Sequence, residues 1–199
     1  MRWFWWLSLI LVVTILGLWA YAHLTFPADT TPQGAYLRIV IAVNKGAPAD
    51  FFAYTETDAQ HACYSIRDYR KQIVAAVRTS YPEPERTELL GKYQAYADAA
   101  DGANVFALYA SQMGWLQRLR RDLSGIEHVE VKGDRASVQT ARGTRYPFRR
   151  RDNGIWGTTL FTAALVTEAE RAARDATIVE QAARDYERVK VVKTQKPAP

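Results

Sequence analysis

Hydrophobic and polar residues follow three different patterns along the chain. Residues 3–22, which read WFWWLSLILVVTILGLWAYA, carry no charged side chain. Between residues 32 and 124, apolar residues recur at three- and four-residue spacing, which is typical of amphipathic helices. From residue 126 apolar and polar residues alternate, as in strands, and helical spacing returns after residue 162. This order predicts an α+β domain that follows an apolar N-terminal segment.

The apolar segment is long enough to cross a membrane as one helix. Twenty residues rise about 30 Å in a helix, which matches the hydrocarbon core of a bilayer. Aromatic residues cluster at both of its ends, as they do at the two interfaces of a membrane: Trp3, Phe4, Trp5 and Trp6, then Trp19 and Tyr21. We therefore predict that residues 1–22 form a transmembrane anchor.

The charges that flank the segment predict where the domain lies. Arg2 and the amino terminus are positive, and no lysine or arginine follows the segment until Arg38. The positive-inside rule then places the N-terminus in the cytoplasm and the domain outside the inner (cytoplasmic) membrane, in the periplasm. The alternative is a cleaved signal peptide, because Ala20-Tyr21-Ala22 has the A-x-A form of a cleavage site. Both interpretations export the domain.

Capping signals bound the predicted helices of the domain. Residues 23–31 are a polar linker, and Thr31-Pro32 provides an N-cap followed by a proline at the first helical position. Gly46 is the expected end of this first helix, and Thr57-x-x-Gln60 fits a capping box for the second. We predict helices at 32–44, 57–80, 84–100, 103–124 and 162–192, a turn from Pro48, one domain over 32–192 and a disordered tail at 193–199.

Three turn signals divide the alternating region into strands. They are Lys132-Gly133-Asp134, Arg142-Gly143-Thr144 and Asp152-Asn153-Gly154. Glycine beside Asp or Asn at such spacing predicts hairpins, and the last strand is expected over 155–161. The predicted fold class is therefore α+β, with several helices packed on an antiparallel meander of about four strands and a long C-terminal helix.

Composition and charge limit the function classes. The chain of 199 residues is 48% hydrophobic and has a net charge of +5, which fits a globular protein with one domain. The basic excess is concentrated between residues 118 and 151, and an exported location makes nucleic acid an unexpected partner. Cys63 is the single cysteine of the chain, so an internal disulfide is excluded.

The strand region, VEVKGDRASVQTARGTRYPFRRRDNGIWG, resembles the NTF2-like (SnoaL-like) superfamily. The resemblance covers residues 126–161, with helix 103–124 as support, and depends on the turn and core positions Gly133, Asp134, Arg135, Ala136, Val138, Gly154 and Trp156. That superfamily contains enzymes, ligand binders and scaffolds, so the resemblance implies a fold without an activity. In layout alone, a membrane-anchored domain of this shape is also similar to VirB8-like subunits of secretion machines.

Two groups of residues are candidates for binding. Five aromatic residues form either a ligand pocket between helix and sheet or simply part of the core: Tyr109, Trp115, Tyr146, Phe148 and Trp156. Arg149, Arg150 and Arg151 end a strand, and they form either an anion contact, to lipid headgroups or an acidic partner, or a solvated turn.

Nothing in the sequence matches a specific catalytic or metal-binding motif. Asp58, His61 and Ser65 share a helix face, but their spacing on a rigid helix does not bring them to hydrogen-bond distance. We predict no enzyme, no metal and no cofactor. The expected function is that of an envelope protein whose exported domain binds a ligand, or a protein partner through helix 162–192. A small-molecule enzyme or carrier and a secretion scaffold are the alternatives.

Overall fold

The computed structural model describes residues 11–17 and 26–195 of the chain. Residues 11–17 are helical and exposed. Within the described residues, we find no helix that combines the length and the apolar character needed to span a bilayer. The other residues of the predicted anchor lie outside the described residues, and so do residues 23–25 of the predicted linker and 196–199 of the predicted tail.

The helical part of the described domain follows the predicted order. Its helices are α1 (Pro32–Lys45), α2 (Pro48–Phe52), α3 (Thr57–Ser80), α4 (Glu85–Ala97), α5 (Gly102–Gln112), α6 (Trp115–Asp122) and α7 (Thr162–Gln195). The predicted cap of α1 is confirmed, because the Thr31 hydroxyl oxygen accepts a hydrogen bond from the Gly34 N–H at 3.1 Å. Gly46 ends this helix in the left-handed conformation, with φ of 69°.

Several predicted boundaries are wrong. The helix expected over 103–124 is two helices, because Gly114 adopts a φ of 63° between α5 and α6. The turn expected at Pro48 is the short helix α2. The capping box is absent, since the N-cap of α3 is Glu56 and the Gln60 amide donates to the Phe52 carbonyl at 3.0 Å. Helix α7 continues to Gln195, so residues 193–195 of the predicted tail are helical.

The predicted antiparallel meander is confirmed. Its strands are β1 (Ile126–Lys132), β2 (Arg135–Thr140), β3 (Arg145–Arg150) and β4 (Trp156–Thr158), hydrogen-bonded in the order β1-β2-β3-β4. Strand β4 is shorter than predicted, because the chain leaves the sheet after Thr158 and enters α7. The segment around Thr55 pairs with Thr158, and the Glu56 N–H donates to the Thr158 carbonyl at 3.0 Å.

Two hydrophobic clusters stabilise the helices and the sheet. The first cluster joins the inner face of the sheet to α1, α2, α3 and α5, with Tyr36, Phe51 and Phe106 fully buried. The second cluster joins α3, α4 and α7, and includes Ile73 and Val179. Helix α7 contributes to both clusters, so its position along α3 determines how they align.

A buried ionic network lies between the two clusters. The Arg70 side chain is 4% exposed, and its guanidinium lies 2.6 Å from the Asp175 carboxylate and 3.4 Å from that of Glu168. Tyr93 donates to Asp175 at 3.3 Å, and its ring lies 4.5 Å from the Arg70 guanidinium carbon. Because α3 supplies the cation and α7 both carboxylates, the network links these two helices.

Removal of the Arg70 side chain is expected to destabilise the protein strongly. Arg70→Ala leaves two carboxylates without their cation in a largely buried site, which costs about 3 kcal/mol of unfolding free energy. The measurement is urea unfolding followed by circular dichroism. Arg78→Ala is the matched control, because Arg78 on the same helix is exposed and donates to the Gln94 side chain, and we expect a change below about 0.5 kcal/mol. Similar losses in both variants would contradict the structural role of Arg70.

Cys63 is expected to be unreactive in the folded protein. It is fully buried on α3, and burial raises the pKa of its thiol to about 12. The thiolate is the reactive form, so at pH 8 we expect an aromatic disulfide reagent to react at least about 100-fold more slowly with native than with urea-unfolded protein. The chain has one cysteine, so the signal reports on this site alone. Equal rates would show that the buried face of α3 is open to solvent.

Candidate functional site

The five predicted aromatic residues lie in the hydrophobic core. Each is less than 10% exposed: Tyr109, Trp115, Tyr146, Phe148 and Trp156. Trp115 stacks on Phe161 with the ring centroids 4.2 Å apart, and the Trp156 indole N–H donates to the Thr30 carbonyl at 3.1 Å. The structure therefore assigns these residues contacts within the core, and their role in a ligand pocket stays a prediction.

Two of these aromatic residues carry buried hydroxyl groups. Burial raises the pKa of Tyr146 to about 12, and its hydroxyl has no hydrogen-bond partner in the described structure. Burial also raises the pKa of Tyr109, and the nearby Glu168 carboxylate adds to this effect. Both phenols are therefore neutral at physiological pH.

The three consecutive arginines have separate surroundings. Arg149 Nη1 lies 2.8 Å from the Glu56 carboxylate, and its Nε lies 3.7 Å from Asp134. Arg150 is exposed to solvent. Arg151 donates to the Ala53 carbonyl at 2.9 Å. The three guanidinium groups thus have different partners, and an anion contact through them stays a prediction.

Arg149 borders a cleft on the outer face of the sheet, opposite the core. The cleft has a volume of about 480 Å³, and its lining includes charged, small polar and apolar residues: Glu56, Glu130, Lys132, Arg135, Ala136, Ser137, Pro147, Phe148, Arg149 and Thr159. We call it the outer-face cleft. Its volume lies within the usual range of small-molecule sites, about 300–1,000 Å³.

Strand register places three cations in one row along the outer-face cleft. Lys132 pairs with Arg135 across the first hairpin, and Arg135 pairs with Arg149 across the second. The Gly133-Asp134 loop fixes the first of these pairs, because Gly133 adopts a φ of 64° that matches a tight hairpin turn. The next row of paired residues, Glu130, Ser137 and Pro147, also lines the cleft.

Glu56 forms one wall of the cleft and is 5% exposed. Its Oε1 binds Arg149, and its Oε2 accepts a hydrogen bond from the Thr162 hydroxyl at 2.7 Å. Gly157 allows the backbone around Thr55 to lie close to β4, because a Cβ at position 157 would lie 2.4 Å from the Thr55 carbonyl oxygen. The segment before α3 can therefore pack against β4 and bring Glu56 to Arg149.

Charge pairing in the cleft is incomplete. Lys132 lies 2.7 Å from the Glu130 carboxylate, and this hydrogen bond lowers the pKa of Glu130. Arg149 is paired with Glu56. Within the described chain, no carboxylate lies within 4.0 Å of the Arg135 guanidinium, which is exposed between these two ion pairs. The cleft thus presents one cation that is free to meet an anion.

Other arrangements of polar residues are less organised. Asp58 and His61 are exposed on α3, and no hydrogen bond joins them to Ser65. Over residues 11–17 and 26–195, no three His, Cys, Asp or Glu side chains come together as a metal site would require. The outer-face cleft is therefore the candidate site, although sequence reasoning had not identified Glu56, Lys132 or Arg135 as binding residues.

Comparisons with models of protein families, with curated proteins and with solved structures found no match. The NTF2-like resemblance of the strand region therefore stays a prediction.

Loss of the Glu56 charge is expected to weaken the junction between sheet and helices. Glu56→Gln removes the ion pair with Arg149 and retains the shape of the side chain. Because Arg149 is 40% exposed, we expect a modest loss of about 1–2 kcal/mol in unfolding free energy by urea denaturation. Glu130→Gln is the control, since its pair with Lys132 is solvent-exposed. An equal effect of the two substitutions would rule out a special role for Glu56.

Proposed function

We propose that this chain is a single-pass membrane protein whose α+β domain lies outside the cytoplasm and acts as a binding module, not as an enzyme. The uncharged stretch at residues 3–22 supports the anchor, and Arg2 before it supports the orientation. The outer-face cleft supports the binding role. The single observation that carries this role is the unpaired Arg135 beside two paired cations.

The start of the described domain supports a short connection to the anchor. The Arg38 guanidinium donates to the Pro27 carbonyl at 2.7 Å, and the Trp156 backbone N–H donates to the Asp29 carbonyl at 3.2 Å. Gly34 lies so close to this segment that a Cβ would come within 1.9 Å of the Ala28 carbonyl oxygen. Residues 26–31 thus pack against α1 and β4, and the proposed anchor ends only a few residues before them.

A protein partner in the envelope is a second proposed ligand, and α7 is its proposed contact. Four large apolar side chains on this helix are more than half exposed: Ile178, Val189, Val191 and Val192. Exposed apolar side chains that adjoin on one helix face favour contact with another protein, and Val189 and Val192 are such neighbours at i, i+3 spacing. These side chains lie within the partner contact proposed for residues 162–192, and three of them fall in its last four residues.

The two alternative functions make different demands on the structure. An NTF2-like enzyme or carrier needs an internal cavity with a polar group at its base, such as the hydroxyl of Tyr109 or Tyr146. Both side chains are buried among core residues, which favours the binding module. A secretion scaffold of the VirB8-like kind needs self-association of the domain.

Membrane fractionation of the full-length protein tests the proposed location. We expect the protein to stay in the membrane pellet after an alkaline wash, because a spanning apolar helix resists extraction. We also expect protease added to spheroplasts to digest the domain, since it lies on the outer side. Recovery of a shorter chain that lacks residues 1–22 would favour the alternative, in which a signal peptide is cleaved after Ala22. Recovery of intact protein from the cytoplasmic fraction would overturn the proposal.

A further inference from the structure

We propose that the outer-face cleft binds a small soluble molecule through its carboxylate or phosphate group, with Arg135 as the main contact. This inference rests on the proposed binding role of the cleft but does not depend on the membrane anchor. It names the chemical class of the ligand, which the proposed function leaves open.

The row of three cations carries an electrostatic cost. Lys132, Arg135 and Arg149 occupy directly paired positions on three neighbouring strands. Side chains at such positions have Cβ atoms about 4.5–5.5 Å apart, and like charges there destabilise a sheet. An anion that binds over Arg135 relieves this repulsion, so binding is coupled to the stability of the sheet.

Countercharges are distributed unevenly along the row of cations. Glu130 and Glu56 neutralise the outer two cations at 2.7 and 2.8 Å, and Asp134 approaches Arg149 from the hairpin loop at 3.7 Å. None of these carboxylates reaches Arg135 in the described structure. A ligand with a single anionic group therefore fits best. A polyanion such as nucleic acid would bring further phosphates close to the glutamates, which repel them.

The surface of the cleft around Arg135 combines polar and apolar groups. A guanidinium offers a planar fork that binds a carboxylate or phosphate through two parallel hydrogen bonds. Beside it, Ser137 offers a hydroxyl group, and exposed Pro147 offers apolar surface. The cleft therefore suits a molecule with one anionic group attached to an apolar body about as large as an aromatic ring.

Calorimetric titration of the full-length protein in nanodiscs of neutral lipid tests this inference. The probes are benzoate, phenyl phosphate and uncharged benzyl alcohol. We expect at least one of the two anions to bind and benzyl alcohol not to bind. Arg135→Gln is expected to weaken anion binding by at least about tenfold, because it removes a charged hydrogen-bond donor. Arg145→Gln is the matched control on the outer face of β3, since Arg145 does not line the cleft, and binding should stay within about twofold.

Thermal unfolding separates a binding role from a structural one. Without ligand, Arg135→Gln should keep or raise the melting temperature, because it removes one of the repelling cations. A fall in melting temperature together with the loss of binding would assign Arg135 a structural role and overturn the inference. Failure of both anions to bind at millimolar concentration, or equal losses in Arg135→Gln and Arg145→Gln, would also overturn it.

The source of the anion is tested by repeating the titration in nanodiscs that contain anionic lipid. Unchanged binding supports a soluble ligand. Binding lost only in anionic lipid would assign the anion to a headgroup and overturn the small-molecule inference. Fractionation tests the anchor and titration tests the cleft, so the failure of one is distinguishable from the failure of the other.

Discussion

The arrangement of the helices depends on the buried guanidinium of Arg70. On α3 it lies between Ile66 of the first hydrophobic cluster and Ile73 of the second. Its two carboxylate partners on α7, Glu168 and Asp175, lie on either side of buried Ala172. Alanine-rich helix surfaces pack in more than one alignment at little cost, whereas displacement of α7 along α3 would leave buried charges unpaired. The network therefore determines the register of the two longest helices, and with it the alignment of both clusters.

Glu56 is the corresponding link between the helices and the sheet. Its carboxylate joins Arg149 on β3 to Thr162 at the start of α7, and its backbone joins the start of α3 to β4. Helix α7 is thus held at its first residue by Glu56 and near its middle by Arg70. Glu56 also forms one wall of the outer-face cleft. The residue that joins the sheet to the helices therefore also borders the candidate site. A ligand bound to Arg135 can use the cleft without breaking the contact between Glu56 and Arg149.

The fold was predictable where one periodicity runs through a whole element. The apolar spacing of α3 predicted Thr57–Ser80 as observed, and three turn signals predicted the meander. The break between α5 and α6 was missed because apolar spacing continues across Gly114, and only its backbone conformation separates the helices. The capping box failed for a tertiary reason, since Gln60 bonds the end of α2. The buried network could have been predicted from Arg70, because this charged residue lies within the apolar stripe of α3.

The candidate site was less predictable, because its residues meet only through strand register and long-range packing. Arg149 was identified as one of three consecutive arginines, yet its partner Glu56 is 93 positions away. Lys132 and Arg135 stand beside each other because the hairpin loop between them contains only Gly133 and Asp134. A shift of one residue in that register would turn the side chains of a strand to the opposite face of the sheet. The core residues Ala136 and Val138 hold the register, since they are buried only when β2 pairs as it does. The cation row is therefore a consequence of the same packing that forms the core, which is why local sequence motifs did not reveal it.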